Sequence, residues 1–277
     1  MPHWEFARTE PVSLNVNIVS GSVTITAEPT DLITVDVRPS RPGRHADEYA
    51  NEVTAEFTGD RLLVCEPSLG VLRLRDTSLD VVITVPSGSN CEAETASAEI
   101  SCLGEFGSLN VRTASGQVRA ASVAGEAQIT SVSGRVTVAA AGTMTVKTAS
   151  GSIEVGEVTG ALQVGSVSGR VQVGSAGGPV NVQTSSGRIT LDEISSGTAK
   201  INSISGEIRV QVTPGTDVYL DLSSLSGKVT SELDPADAQS PAGQSSAATL
   251  QLHCRTVSGS IRIGRAVSIS PAQSQSS

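Results

Sequence analysis

The chain is dominated by a short internal repeat. Between residues 113 and 210, a Ser-Gly pair followed by a short β-branched run recurs six times. The copies read TASGQVRA, SVSGRVTV, TASGSIEV, SVSGRVQV, TSSGRITL and SISGEIRV. Their glycines are separated by 18, 17, 18, 18 and 19 residues. A fixed period in this range is typical of a solenoid, in which each repeat buries its apolar face only by stacking on its neighbours.

A second series of glycines divides each repeat into two halves. It consists of Gly125, Gly142, Gly160, Gly178 and Gly197. Within each half, apolar residues alternate with polar ones, which is the pattern of a half-buried strand. The glycine before each strand is predicted to allow the positive-φ turn that a corner in every half-repeat needs. In a helix, each of these glycines would cost about 1 kcal/mol. We therefore predict an all-β fold, a parallel β-solenoid (β-helix) with coils of ~18 residues built of two ~9-residue half-repeats, with an irregular N-terminal β-cap.

The repeat and its interruptions suggest three parts. Residues 1–90 are predicted to form the N-terminal β-cap with hairpin-like strands, residues 91–264 the solenoid repeats, and residues 265–277 a disordered tail. Within the cap, Gly59-Asp60 marks a tight hairpin, and residues 39–52 form a loop with room for a short helical turn. Such a cap would cover the open strand edges at one end of the stack. The Pro/Ala/Ser/Gln-rich stretch at 233–248 is predicted to be a mobile loop.

Stacking of the repeats would align like residues into ladders. The first ladder comprises Ser115, Ser133, Ser150, Ser168, Ser186 and Ser205, and the second comprises Thr113, Ser131, Thr148, Ser166, Thr184 and Ser203. We expect these hydroxyls to bond backbone groups of the turns. The alternative is a regular hydroxyl array that recognises a glycan, although no aromatic column flanks it.

Composition and charge exclude several classes of partner. The net charge is −9, and residues 1–110 carry 7 Lys/Arg against 17 Asp/Glu. Since no basic stripe exists, we expect neither nucleic acid nor an anionic membrane surface as a partner. No apolar stretch reaches the ~18 residues of a membrane span, so we expect no direct membrane insertion. No signal peptide is visible at the start of the sequence, and the expected localisation is cytoplasmic.

The cysteines show no metal-binding or redox spacing. Cys65, Cys91, Cys102 and Cys254 are isolated from one another and are expected to be reduced, small hydrophobic side chains. A disulfide between Cys91 and Cys102 would require an exported chain.

No group of residues has the arrangement of a catalytic site. The acids within the repeats fall on different coils, and these are Glu154, Asp192, Glu193 and Glu207. His253 and Cys254 are adjacent, but neighbours in a strand point to opposite faces and cannot act together. Lys147, Arg170 and Arg188 are interpreted as solvated positions on the outer face. We therefore assign no catalytic, cofactor-binding or metal-binding residue and expect no cofactor.

Several motifs in order along the chain resemble a known family. They are Trp4-Glu5-Phe6, Glu10-Pro11-Val12, Val35-Asp36-Val37-Arg38-Pro39, Val82-Ile83-Thr84-Val85-Pro86-Ser87-Gly88 and Arg255-Thr256-Val257-Ser258-Gly259-Ser260-Ile261. With the Ser-Gly repeats between them, the chain resembles actinobacterial members of the adhesin-like β-strand-repeat family called domain of unknown function 4097. The resemblance spans roughly residues 4 to 264. It implies a β-solenoid and supplies no catalytic residues.

The function predicted from the sequence is that of a non-enzymatic scaffold or interaction protein with an unidentified protein partner. Two alternatives stay open. One is self-association into a bactofilin-like polymer, and the other is a glycan-binding module that uses the Ser/Thr ladders.

Overall fold

A computed structural model describes residues 2–41, 43–66, 78–233 and 249–266. Within these ranges the chain forms sixteen β-strands and one short helix, so the predicted all-β class is confirmed. The strands join in one sheet whose path of paired strands does not close on itself. The loop predicted at 233–248 and the tail predicted at 265–277 lie, apart from residues 233, 265 and 266, outside the described residues.

Strand length varies along the chain, and the longest strand, β9 (Val118–Val158), lies in the repeats. The N-terminal elements are β1 (His3–Ala7), β2 (Ser13–Glu28), β3 (Leu32–Pro39), α1 (Arg44–Ala50), β4 (Thr54–Thr58), β5 (Arg61–Cys65) and β6 (Leu79–Pro86). The later strands are β7 (Asn90–Phe106), β8 (Ser108–Ser115), β9 (Val118–Val158), β10 (Leu162–Ala176), β11 (Val180–Ile194), β12 (Gly197–Val212), β13 (Asp217–Ser226), β14 (Val229–Ser231), β15 (Thr249–Ser258) and β16 (Ile261–Arg265).

The N-terminal part mixes antiparallel and parallel pairing. β1 pairs antiparallel with β3, and β3 pairs antiparallel with β6. β4 and β5 form an antiparallel hairpin in which Thr58 pairs with Arg61, so Gly59 and Asp60 are its two-residue loop, as predicted. β2 runs parallel to β7 over most of its length. The parallel stack therefore begins inside the range assigned to the cap, and the boundary at residue 90 stays a prediction.

From β7 onward, successive repeats pair in parallel and in register. Leu162 of β10 pairs with Val180 of β11, and Gly169 pairs with Gly187, so equivalent residues of the repeat are direct neighbours. The same register joins β11 to β12 and β9 to β10. Neighbouring strands lie about 4.8 Å apart, and like side chains therefore form columns along the stack.

The core follows the alternation read from the sequence. The inward positions of the repeat are almost completely buried, as at Val171 and Ile189 in one half and Val164 and Val182 in the other. Small and β-branched side chains fill most of this narrow core. Among the cysteines, Cys91, Cys102 and Cys254 are buried and Cys65 is half-buried, and all four are free thiols.

The two glycine series serve different purposes. The glycines of the six Ser-Gly copies between residues 113 and 210 have positive φ, +139° at Gly169 and +137° at Gly187, as the sequence predicts for the turn. In the second series only Gly197 has a positive φ. Gly125 and Gly178 are required instead because a Cβ there would lie 2.6 Å and 2.5 Å from a carbonyl oxygen of the preceding repeat. The prediction of a positive-φ corner at every half-repeat is therefore correct for one corner only.

The last repeats do not stack in sequence order. β15 and β16 pair with β12 on one side, and β13 and β14 pair with β15 and β16 on the other. Residues 249–265 thus lie between two segments that precede them in the chain. β13 becomes the terminal strand of the main path, and its side chains are more exposed than those of β15.

Candidate interaction surface

An apolar column runs along one corner of the stack. In the Ser-Gly repeats it is formed by the residue that separates the second Ser/Thr ladder from the Ser-Gly pair, and it continues through the residues that are aligned with these by strand register. We call it the corner column, and its members in spatial order are Val19, Ala96, Ala114, Val132, Ala149, Val167, Ser185, Ile204, Val257 and Leu225. Of the ten exposed large apolar side chains among the described residues, six belong to this column. Because clustered exposed apolar side chains are a common feature of interaction sites, we take the corner column as the candidate interaction surface.

The backbone of the repeat fixes the corner column in place. On one side of Val167, Ser166 is buried and its hydroxyl donates a hydrogen bond to the Ser168 carbonyl at 3.4 Å. Thr148 and Thr184 make the equivalent bond at 3.2 Å. Each bond spans the column residue, so that residue is held pointing outward. The expectation that these hydroxyls bond turn backbone is confirmed for five ladder members, Thr113, Ser131, Thr148, Ser166 and Thr184. The hydroxyl of the sixth, Ser203, has no partner within the described residues. All six side chains are buried and are therefore not exposed to a glycan.

The hydroxyl bonds give a prediction with an internal control. Thr184→Val removes a satisfied buried bond and should lower the free energy of unfolding by about 1 kcal/mol. At Thr256 the buried hydroxyl has no partner within the described part of the chain. Thr256→Val should therefore leave stability unchanged or raise it, because an unpaired buried polar atom is removed. Urea unfolding of both variants measures the difference, and equal losses would contradict it.

A groove of about 830 Å³ lies beside the corner column. Outward side chains of the neighbouring strands form its walls, among them Lys147, Gln163, Gln183 and Asn202. Gly165 forms a hollow between Lys147 and Gln183, its register neighbours. A Cβ at this glycine would meet only the Lys147 Cγ at 4.0 Å, so neither backbone conformation nor a close contact demands glycine there.

The His253–Cys254 pair is divided between the two sides of strand β15, as the sequence predicts. Cys254 is fully buried, and burial raises the pKa of its thiol to about 12, so it is not a nucleophile. His253 faces outward, where its Nδ1 lies 3.1 Å from a carboxylate oxygen of Asp221. Arg255 contacts the same oxygen at 3.4 Å. This cluster fastens the terminal strand β13 to β15.

The Asp221 contacts predict an acid-sensitive terminal strand. Hydrogen bonds from His253 and then from Arg255 hold the pKa of Asp221 below its usual value of 3.8. A lowered pKa stabilises the folded form above pH 3.8, and this contribution disappears as the pH falls through the folded-state pKa. Amide protection in β13 should therefore fall before that in β12 when the protein is acidified. In Asp221→Asn this difference in acid sensitivity should vanish, and its persistence would contradict the assignment.

The acidic residues of the repeats do not come together in one site. Asp192 accepts a hydrogen bond from Gln172, and Glu207 is surrounded by arginines, while Glu154 lies beside Gln172 in another column. Within the described ranges, no three His, Cys, Asp or Glu side chains are grouped so that they could hold a metal ion. In the same part of the chain, no helix is long and apolar enough to cross a bilayer.

The fold and this surface together define an all-β repeat protein that presents an apolar corner and a polar groove. The chain belongs to the Toastrack DUF4097 family, whose model matches residues 12–264. This confirms the family resemblance read from the sequence, and the function of the family is unknown. The actinobacterial origin stays a prediction.

Several solved structures are similar over nearly the whole chain. One is a candidate adhesin from Bacteroides fragilis, with 12% identity, 95% of this chain and 96% of that chain covered, and a TM-score of 0.46. A candidate lipid-binding protein from Parabacteroides distasonis has 11% identity, the same two coverages and a TM-score of 0.42. A candidate cell adhesion protein from Clostridium sporogenes has 13% identity, coverages of 95% and 99%, and a TM-score of 0.25. No curated protein matches the chain.

Proposed function

We propose that this chain is a non-enzymatic scaffold whose corner column docks a protein partner. The frame is a parallel β-solenoid with coils of ~18 residues built of two halves. In-register parallel pairing with an offset of one repeat, as between Val171 and Ile189, supports this frame. A rigid stack of this kind holds its outward columns at a fixed spacing, which suits a docking surface better than a reaction centre.

The observation that carries the proposal is the concentration of exposed apolar side chains in one column. Val132 is 58% exposed, Val167 57% and Ile204 57%, although polar residues occupy most other outward positions of the repeats. Burying these side chains against a partner would gain roughly 25 cal/mol for each Å² of apolar surface removed from water. The amide side chains of the adjacent groove supply polar contacts at the rim of the same surface.

Site-specific photo-crosslinking in the native cell tests the proposal. A benzophenone side chain at position 167 should give a discrete adduct with another protein. The same group at Val82, an exposed apolar residue outside the column, should give none. Ile204→Asp should suppress the adduct at position 167 without changing the unfolding midpoint, since the residue is exposed. Equal labelling from positions 167 and 82 would refute docking at the column.

Self-association is a second candidate, favoured by the terminal strand. In β13, Tyr219 is 63% exposed and Leu225 84% exposed, and Leu225 is also the last member of the corner column. Edge strands with exposed apolar residues can pair with another chain. An adduct from position 167 that joins two copies of this chain, together with a mass that rises with concentration in light scattering, would identify a second copy as the partner.

A further inference from the structure

A second outward column, on the other side of the Ser-Gly corner, collects arginines. It is formed by the residue after each Ser-Gly pair, and its central members are Gln117, Arg135, Ser152, Arg170, Arg188 and Glu207. Three of four successive repeats, starting at Arg135, therefore carry a guanidinium in this column. The acid nearest in the column is Glu207, the register neighbour of Arg188.

Two of these arginines are direct neighbours. Arg170 pairs in register with Arg188, so the two residues lie about 4.8 Å apart at the backbone. Like charges placed opposite each other in a sheet are destabilising. Arg170 makes no hydrogen bond or ion pair within the described part of the chain, while Arg188 Nε lies 3.1 Å from a Glu207 oxygen. The pair thus has one carboxylate contact for two positive charges.

A cavity of about 540 Å³ lies against this pair. Its lining contains the two arginines, the exposed side chains of Ser186 and Ser205, and the carboxylate of Glu207. The glycines of the Ser-Gly corners form its floor, so no side chain obstructs the approach of a ligand to the backbone there. Guanidinium and hydroxyl groups on an open floor are the donors that bind tetrahedral oxyanions.

Arg188 is not the only cation that compensates the charge of the Glu207 carboxylate. A Glu207 oxygen also accepts a hydrogen bond from Arg209 at 3.1 Å, and Arg262 lies 3.8 Å from the same oxygen. If Arg188 turns toward a ligand, two guanidinium groups still compensate the Glu207 carboxylate. An anion can therefore bind the Arg188 guanidinium without leaving the Glu207 carboxylate unpaired.

We propose that Arg170 and Arg188, with the hydroxyls of Ser186 and Ser205, form a binding site for a phosphate-type oxyanion. The two guanidinium groups bind the anion from neighbouring repeats, and the hydroxyls donate from the corner beside them. The charge of the anion removes the repulsion between the arginines. This site is separate from the corner column and does not depend on the docking function proposed above.

Titration of the full-length protein with inorganic phosphate tests the site. At low ionic strength, the arginine side-chain Nε–H resonances of Arg170 and Arg188 should shift in a saturable way, and calorimetry should give the same dissociation constant. Arg170→Gln and Arg188→Gln should each weaken binding about tenfold, since each removes a charge-assisted hydrogen bond. Arg112→Gln is the matched control, because Arg112 is an exposed arginine paired in register with Glu94 and Thr130 in a different column.

Glu207→Gln should change affinity in the opposite direction. It removes the anion's competitor for Arg188 and one negative charge, so binding of phosphate should tighten several-fold. A general loss of structure cannot produce this result. The opposite signs of the Glu207→Gln and Arg170→Gln effects therefore exclude loss of structure as their cause, and the Arg112→Gln control separates a specific site from non-specific charge binding.

A phosphate group could reach the site free in solution or on a lipid headgroup. Sedimentation with phosphatidylcholine vesicles, with and without phosphatidic acid, distinguishes the two sources. Binding to inorganic phosphate supports the site, and so does binding to phosphatidic acid vesicles alone if Arg170→Gln abolishes it. Absence of both, or losses in Arg170→Gln no larger than in Arg112→Gln, would overturn the proposal.

Discussion

Replacing Gly187 by alanine is expected to destabilise the fold by about 3 kcal/mol or more. Two independent causes act at this position. Its φ of +137° lies in a region that residues with a Cβ rarely adopt. In addition, the new Cβ would overlap the Gly169 carbonyl oxygen and lie 2.9 Å from the carbonyl carbon of Gly169. Both are backbone atoms, so the two repeats would have to move apart and break their ladder hydrogen bonds.

The matched control is Gly165→Ala, in the preceding strand of the same stack. Its φ is not positive, and the nearest atom to its Cβ would be the Lys147 Cγ at 4.0 Å. We expect its free energy of unfolding to stay within about 0.5 kcal/mol of the parent. Urea unfolding of both variants measures the contrast. If Gly187→Ala does not fold, the yield of soluble protein is compared between the two variants in place of the unfolding midpoint. Comparable stabilities for Gly187→Ala and Gly165→Ala would refute the argument.

The repeating part of the fold is readable from sequence because local and long-range requirements coincide there. The residue after each Ser-Gly-x unit must be β-branched to form a strand, and the same residue, such as Ile189, must be apolar to fill the core. The positive φ of the Ser-Gly glycines follows from the turn. Since every repeat obeys the same rule, its partner in the stack is the equivalent residue one repeat away.

The order of the last repeats could not be read in this way. Residues 224–230 and 256–262 carry the same pattern, SLSGKVT and TVSGSIR, and either could continue the stack from β12. In the structure the later segment pairs with β12, and the earlier segment pairs with the outer side of the later one. One physical difference between them is that Leu252, Cys254 and Ile263 of the inserted segment form a fully apolar inward face. At the position equivalent to Ile263, the terminal segment has Ser231.

The candidate sites were visible in the sequence only in part. In most repeats the corner column is the residue between a Ser or Thr and the following Ser-Gly pair. The apolar side chains of Val132, Val167 and Ile204 at this position are visible in the sequence, but residues in turns are usually expected to be polar and to need no explanation. The arginine pair could not be predicted from the composition or from the repeat pattern alone. Arg170 and Arg188 are recognised as neighbours only once the register is known. That Arg170 has no hydrogen-bond or ion-pair partner among the described residues depends on side-chain positions that no local pattern encodes.

Phe106→Ala is expected to lower the free energy of unfolding by about 3–5 kcal/mol, as large-to-small substitutions of buried aromatic side chains do. Phe106 is fully buried, and it lies in β7 just after a register shift between Cys102 and Glu105. The repeats elsewhere fill their core with small aliphatic side chains, so no neighbour can expand into the space that the ring would leave. Phe57→Ala is the control, because this ring is only half-buried, with its centroid 5.4 Å from that of Phe6, and its loss should cost about 1 kcal/mol. Urea unfolding would contradict the assignment of Phe106 to the core if the two variants lost the same stability. Phe106→Leu should recover most of the loss, because it restores an apolar side chain of similar size.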